Sequence, residues 1–398
     1  MTHKLVTLLG KVRSNYSQAT YEFEDASRRS SRFFSLELCK HIKPDKLIIL
    51  GTTGSMWDSL LLETELSDYS GLQEDILSLG EAAQEDAVTQ ETLDILSIQL
   101  EEVLGLPCEL KLLPYGRTPQ EQTKTLEILV NCFDEGDTAT LDITHGLRHQ
   151  PMLIQQSALL VRSLKNVSIS AIHYGALELT ENAITPVMRV DGILEIDQWN
   201  QAVSIYDKSG DYSGFVPLLK ASGFSKNALD SLQDAGFYEQ TNNIEKATVK
   251  LKNFLTLLKK EEALCSPHAA LFLPDLKERF AWVQKDQPYQ RQSAVAWQAL
   301  ENGNLMRSSI YGFEAFISKL VDNDRAGVNS YDTRDLAKQA YEDEEPAESW
   351  DEYRLLRGIR NNLAHSSSQC HSTVKKAISS RTELALTLKR VFKVLIPR

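Results

Sequence analysis

A chain of 398 residues is too long for one ordinary hydrophobic core, so two or three domains are expected. Its 42% hydrophobic and 25% charged residues are those of a soluble globular protein. The formal net charge of -12 excludes a surface that binds nucleic acid everywhere but leaves room for one local basic cleft.

The opening Met1-Thr2-His3-Lys4 runs into Leu5 to Leu9 without an apolar stretch long enough for secretion, and no segment has the ~20 apolar residues of a membrane helix, so neither a targeting signal nor a membrane partner is expected. The five cysteines (Cys39, Cys108, Cys132, Cys265, Cys370) lie far apart with no C-x-x-C pair. That spacing argues against a zinc ribbon or disulfide framework and points to reduced thiols in a cytoplasmic protein.

The front half alternates strand and helix patterns. Lys4 to Gly10 reads as a strand and Ser30 to His41 as a helix with Phe33, Phe34, Leu36 and Leu38 on its apolar side. Leu47-Ile48-Ile49-Leu50, inside Lys46 to Gly51, is a continuous apolar run of the kind found in strands covered on both faces. Ser67 to Gln90 is acidic and weakly periodic, and reads as a surface insertion or solvated helix. Helix is then expected over Glu91 to Leu104, strand over Cys108 to Leu113, helix over Pro119 to Phe133 and strand over Thr138 to Ile143. Helix follows over Pro151 to Leu164 and strand over Val167 to Leu177; Pro186 to Val190 and Ile193 to Ile196 read as a terminal hairpin around Asp191-Gly192. The alternation predicts a doubly wound, Rossmann-like α/β domain.

Past a border near Asp197 the strand signals fade. Helices are expected over Trp199 to Tyr206, Ser213 to Ala221, Ile244 to Glu262, Leu271 to Gln284, Ser293 to Asn302, Met306 to Val321, Thr333 to Tyr341, Glu348 to Asn362 and Ser372 to Leu395. A softer border falls at Gln284 to Gln292; Asp322 to Ser330 reads as a polar loop, and Glu342 to Glu345 as an acidic run ending at Pro346. The rear half is therefore expected to be all-α.

Two front loops carry candidate chemistry. Gly51-Thr52-Thr53-Gly54-Ser55-Met56-Trp57-Asp58 follows the apolar strand, and its small residues let amides and hydroxyls approach a ligand. It is not a P-loop, lacking the Gly-Lys-Ser/Thr ending, and a plain strand–helix turn with Ser55 as N-cap explains it equally. Asp142-Ile143-Thr144-His145-Gly146-Leu147-Arg148 ends the Thr138 strand. There Asp142 can cap the amide of Thr144 or His145, Gly146 permits a tight turn and Arg148 suits a phosphate; a capped turn with a surface Arg is the alternative. Both loops end strands of one sheet and can face one crevice. His145, His149 and His173 lack the carboxylate pattern that would complete a metal set, so no metal is expected.

In the rear half, Arg360-Asn361-Asn362-Leu363-Ala364-His365 places a guanidinium and an imidazole near each other on an expected helix. His suits proton transfer near neutral pH, and Arg suits a phosphoryl group that spreads charge. Together they fit metal-free cleavage of RNA at its 2′-hydroxyl, with Asn361 orienting either group. One copy of each is sparse, and a homodimer would supply two. An ordinary helix-surface Arg and a His near the helix C-terminus remain the alternative.

These motifs resemble CRISPR-associated proteins of the DxTHG group. Asp142 to Arg148 matches the D-x-T-H-G motif, Gly51 to Asp58 resembles the G-T-x-x-S loop, and Arg360 to His365 fits the R-x4-6-H motif of HEPN ribonucleases. Trp297 to Asn304 followed by Ile310 to Phe316 resembles the first long HEPN helices. The resemblance implies a CARF sensor over 1–197, a helical connector over 198–290 and a HEPN ribonuclease over 291–398. It implies a type III CRISPR ancillary effector that cleaves single-stranded RNA when a cyclic oligoadenylate, expected to be the tetra-adenylate, binds across a homodimer axis. No other cofactor is implied, and multiples of the dimer fit equally. His365 would handle protons, Arg360 would stabilise the phosphorane and Asn361 would position groups. Gly51, Thr52, Thr53, Ser55, Asp142, Thr144, His145, Gly146 and Arg148 would form the sensor pocket, with Ser14 and Asn15 as further candidates. Glu314 would be solvated or would pair with Arg360. A ring nuclease that degrades the cyclic ligand in the front pocket, and a sensor without catalysis, are the competing readings.

Overall fold

The computed structural model describes residues 1–11, 18–64, 72–321, 330–344, 349–365 and 370–398. It divides into two compact units, Met1–Leu194 and Glu195–Arg398. Ser14, Asn15, residues 322–329 of the expected polar loop and the end of the acidic run at 345–346 lie outside the described residues.

The first unit contains β1 (His3–Leu9), β2 (Ala19–Glu22), β3 (Arg28–Ser31), α1 (Phe34–Ile42), β4 (Lys46–Gly51), α2 (Trp57–Glu63), α3 (Leu72–Gln84) and α4 (Gln90–Leu104). It continues with β5 (Cys108–Leu112), α5 (Pro119–Asn131), β6 (Thr138–Asp142), α6 (Gln150–Lys165), β7 (Ser168–Gly175) and β8 (Ile184–Arg189). The strands form one mixed sheet in the order β3-β2-β8-β7-β6-β1-β4-β5. β5, β4, β1, β6 and β7 run parallel, β8 is antiparallel to β7, and β2 is parallel to β8 and antiparallel to β3.

The alternation of a pleated strand explains the layering. Leu5, Leu9, Leu47 and Ile49 point into one core with residues of α1 to α4. Val6, Leu8, Ile48 and Leu50 point into the other with Leu129 of α5 and Ile154, Ala158 and Val161 of α6. This is the expected Rossmann-like arrangement of a sheet covered on both faces.

Three expectations are corrected here. The run from Ser30 starts as strand β3, and the helix begins only at Phe34. The acidic stretch is not merely solvated: Ile76, Leu79 and Ala83 of α3, spaced by three and four, are buried in the sheet's core. The second arm of the terminal hairpin is instead the start of α7 (Gly192–Ser209), and β8 pairs with β7 and β2.

The second unit is helical: α7, α8 (Phe215–Ala221), α9 (Lys226–Gln240), α10 (Ile244–Glu261), α11 (Pro267–Arg279), α12 (Pro288–Glu301), α13 (Leu305–Leu320), α14 (Tyr331–Asp343), α15 (Trp350–His365), α16 (Ser372–Ala377) and α17 (Arg381–Leu395). The long final helix expected from Ser372 is two helices, broken at Ser379-Ser380, where Ser380 caps α17 by accepting the Glu383 amide at 3.1 Å. One continuous apolar core runs from Trp199 to Ile396. Within it Glu239 of α9 meets Arg307 of α13 at 2.5 Å, and the Tyr212 and Tyr311 hydroxyls donate to the Glu239 carboxylate and carbonyl. Burial raises the Glu239 carboxyl above its ordinary pKa while the Arg307 charge opposes that rise. Among the described residues no helix is long and apolar enough to cross a membrane.

Candidate functional site

In the sheet order, β4 and β5 extend from one side of β1, and β6 lies on the other. The winding direction reverses between β1 and β6, and the carboxyl ends of such strands are where open α/β sheets leave a crevice. A cleft of about 1070 Å³ opens there, lined by Gly10 and Lys11 after β1 and by Ile143 to Arg148 after β6. Tyr21, Arg32, Tyr174, Glu178, Thr180 and Thr185 complete much of its wall.

Internal bonds set the shape of the Asp142 loop. The buried Asp142 carboxylate accepts the Thr7 hydroxyl at 2.6 Å and the Thr144 amide at 2.9 Å. The Thr144 hydroxyl accepts the Gly175 amide at 2.8 Å, and the Gln150 side-chain oxygen accepts the Leu147 amide at 2.8 Å. Gly146 turns the chain at φ +96°, and a Cβ there would lie 2.9 Å from the Gln150 oxygen. His145 is only 8% exposed; burial holds its pKa below the ordinary value, against the pull of the Asp142 carboxylate. Arg148 is exposed on the rim. Asp142 thus shapes the loop from beneath, while Thr144, His145, Gly146 and Arg148 reach the cleft.

The Gly51 loop is placed differently. Thr52 and Ser55 are 2% and 1% exposed and are not among the cleft's lining residues. The Ser55 hydroxyl accepts the Thr52 amide at 2.8 Å and donates to the Leu9 carbonyl at 3.0 Å, and the Trp57 indole donates to the Thr52 carbonyl at 2.9 Å. These bonds engage the Ser55 hydroxyl, and the Thr52 hydroxyl meets it at 3.2 Å, so both face inward instead of toward a ligand. Ser55 is not the N-cap of α2 either; Met56 holds that position, and its side chain is what this loop lends to the cleft. A Cβ at Gly51 would lie 2.5 Å from the Trp57 ring, so glycine there serves packing. Thr53 is half-buried and Gly54 lies under the Asp86, Tyr115 and Lys11 side chains.

Sequence reasoning missed Lys11, Arg32 and Tyr174 as cleft residues. Lys11 reaches the Asp86 carboxylate at 3.2 Å, and the Tyr115 hydroxyl donates to the same group. Tyr174 donates to Glu178 at 2.6 Å. The cleft therefore carries the cations Lys11, Arg32 and Arg148 against the single carboxylate Glu178 among its described lining. Such a wall favours an anion. His149 is committed to the Tyr115 carbonyl at 2.7 Å, and among the described residues no group of three His, Cys, Asp or Glu side chains gathers to hold a metal.

In the helical unit, α15 buries Tyr353, Leu356 and Ile359. Its other face lines a cleft of about 790 Å³ with Asp351, Arg354, Gly358, Asn361 and His365, spaced by three and four. His371, Thr373 and Val374 at α16, with Arg390 of α17, form the facing wall. Gly358 permits this closeness: a Cβ there would lie 2.6 Å from a Val374 methyl. Asn361 and His365 thus share one cleft.

Arg360 is not among the lining residues. It lies over the Phe313 ring at 5.3 Å, 3.8 Å from the Glu314 carboxylate, and donates to the Asn361 side-chain oxygen at 2.9 Å. Glu314 is not solvated; it is 22% exposed and also pairs with Arg334 at 2.6 Å.

With this geometry in view, residues 4–178 match the family described as "CRISPR system endoribonuclease Csx1, CARF domain". The first unit is a CARF domain. The CARF-bearing chain is also 24% identical, over 380 residues and 88% of its length, to CRISPR-associated protein MJ1674 of Methanocaldococcus jannaschii. It spans 59% of the length of that curated relative. Among solved structures it is similar to Enterococcus italicus Csm6 bound to cyclic hexa-2′-fluoro-hexa-dAMP, at 11% identity and a TM-score of 0.37, over 100% of this chain and 95% of that one. The family match and the curated relative both concern CRISPR-associated proteins.

Proposed function

We propose that this protein is a CRISPR ancillary effector of type III systems: a cyclic oligoadenylate bound in the CARF cleft switches on cleavage of single-stranded RNA in the helical unit, without a metal. The observation that carries the reading is the cationic cleft at the switch point between β1 and β6, walled by Thr144, His145, Gly146 and Arg148. A cyclic oligoadenylate is a ring of phosphates and bases, and Lys11, Arg32 and Arg148 suit the phosphates while Tyr174 offers a ring to the bases. Cyclic tetra-adenylate is the activator we propose, held across the axis of a homodimer or a higher multiple of it.

In the helical unit, 291–398 would act as a HEPN ribonuclease and 198–290 as its connector. The His365 imidazole would take the proton of a 2′-hydroxyl as that oxygen attacks the adjacent phosphorus. The bond from phosphorus to the 5′-oxygen would break, and the leaving oxygen would take a proton from the second imidazole, supplied by the other copy. The products would be a 2′,3′-cyclic phosphate and a 5′-hydroxyl. The Arg360 guanidinium would stabilise the phosphorane, with the Asn361 side-chain oxygen, which accepts from it, linking it to the cleft that His365 lines.

The test is RNA cleavage by the full chain with cyclic tri-, tetra- and hexa-adenylates offered separately in the presence of a chelator. Cleavage with the tetra-adenylate, abolished by His365→Ala without loss of activator binding, is expected. Activator binding without RNA cleavage would leave a sensor alone. Consumption of the cyclic ligand with intact RNA would make the front cleft a ring nuclease.

A further inference from the structure

The catalytic reading uses two residues of the α15 stripe and leaves the rest without a task. Arg354 stands on that stripe, exposed to the cleft, seven residues before Asn361 and eleven before His365. At a rise of 1.5 Å per residue, it lies about 16 Å from His365 along the helix, too far to touch the same phosphorus.

The other cations of this wall are occupied. Arg357 is held by Glu342 at 2.5 Å and lies 5.7 Å from the centre of the Tyr353 ring. Arg390 is held by Glu352 at 3.1 Å. Arg354 has no ion pair among the described residues, although Asp351 lies one turn away on the same face. A guanidinium held on a rigid helix, open to a cleft and lacking a carboxylate partner suits a phosphate. Asp351, one turn further toward the start of α15, would repel a polyanion and so marks where its path leaves the helix.

We infer that Arg354 is a subsite for the RNA backbone: it binds a phosphate further along the strand than the scissile one, so that the strand lies along α15 from His365 toward the helix N-terminus. The inference rests on the ribonuclease reading for its choice of ligand. Arg354 takes no part in bond making, and its role is to hold the strand.

Binding separates the two ideas. The probe is a labelled single-stranded oligouridylate offered to the full chain carrying His365→Ala, with cyclic tetra-adenylate present. Adding Arg354→Ala is expected to weaken binding about fivefold and to make the slope of log affinity against log salt shallower by about 0.7, the loss of one single-strand phosphate contact. Arg354→Lys should recover most of both, because the charge returns. Unchanged affinity and slope in Arg354→Ala overturn the subsite. A native chain that binds the oligomer without cutting it sinks the ribonuclease reading, while the Arg354 comparison still decides the subsite. A chain that does not bind the oligomer at all overturns both.

Discussion

Arg360 and His365 share α15 but not a direction: the guanidinium lies 3.8 Å from Glu314 on α13, while the imidazole lines the cleft against α16. Five residues at 100° each separate them by about 140° around the helix. Asn361, which accepts from Arg360 and lines the His365 cleft, joins the two.

Glu314 is shared between Arg360 and the closer Arg334. Glu314→Gln should lower activator-dependent RNA cleavage about tenfold, because Arg360 loses the partner that fixes its direction. The cost in folding stability should be about 1 kcal/mol, since both pairs are partly solvated. Initial cleavage rates and thermal unfolding read the two effects separately.

Gly358→Ala places a methyl group against Val374, which is itself buried. We expect a loss of about 1–3 kcal/mol and displacement of α16 from the cleft wall. Adding Val374→Ala removes the clash, so the double variant should lose less than the two single losses combined, and a thermal double-mutant cycle measures the difference.

His145 is buried, and burial lowers its pKa below that of the unfolded chain, as it does for His173. Between the folded and unfolded pKa values the unfolded chain therefore binds more protons, and stability rises with pH. The loss should appear as the pH falls through about 6.5, at no more than about 1.4 kcal/mol per pH unit for His145. Melting temperature followed from pH 8 to 5 should drop on the acid side, and His145→Asn should flatten that drop.

Lys11 lines the CARF cleft yet is engaged by Asp86, which also accepts from Tyr115. Hydrogen bonds from Tyr115 and Lys11 hold the Asp86 carboxyl below its usual pKa. Asp86→Asn should release Lys11 and tighten cyclic tetra-adenylate binding about threefold, read by calorimetry; the gain should shrink at high salt.

Arg307→Met should destabilise the helical unit by about 3–5 kcal/mol, since it strands the Glu239 carboxylate in the core. Met in place of both residues should recover much of that loss, measured by denaturant unfolding.

The front architecture was legible because β1 and β4 carry buried apolar runs, β6 alternates polar and apolar residues, and the helices between them carry their own period. β2 and β3 were not: Ala19-Thr20-Tyr21-Glu22 alternates over only four residues and Arg28-Arg29-Ser30-Ser31 has no apolar alternation, and what makes them strands is pairing with β8 and with each other. The run Ile193-Leu194-Glu195-Ile196 was too short to tell strand from helix; its period becomes helical only through Trp199, Ala202 and Tyr206, all buried. At the site, the Asp142 loop was readable because one motif holds all its residues. Lys11, Arg32 and Tyr174 come from separate elements that only the sheet order brings together. The Thr52 and Ser55 hydroxyls looked available because a sequence does not show which way a turn folds inward. Glu314 and Arg360 are 46 positions apart in the numbering, and their meeting depends on how α13 packs against α15.

The Glu239–Arg307 contact also limits how this polypeptide can be divided. Its two halves come from either side of position 290, and each alone would carry a charge evolved to stay dry. A fragment begun at residue 291 would have to solvate Arg307 and rebuild its interior, so it should behave as a collapsed, aggregating chain. A graft of this helical module onto another sensor should therefore be joined near residue 195, where the compact unit begins.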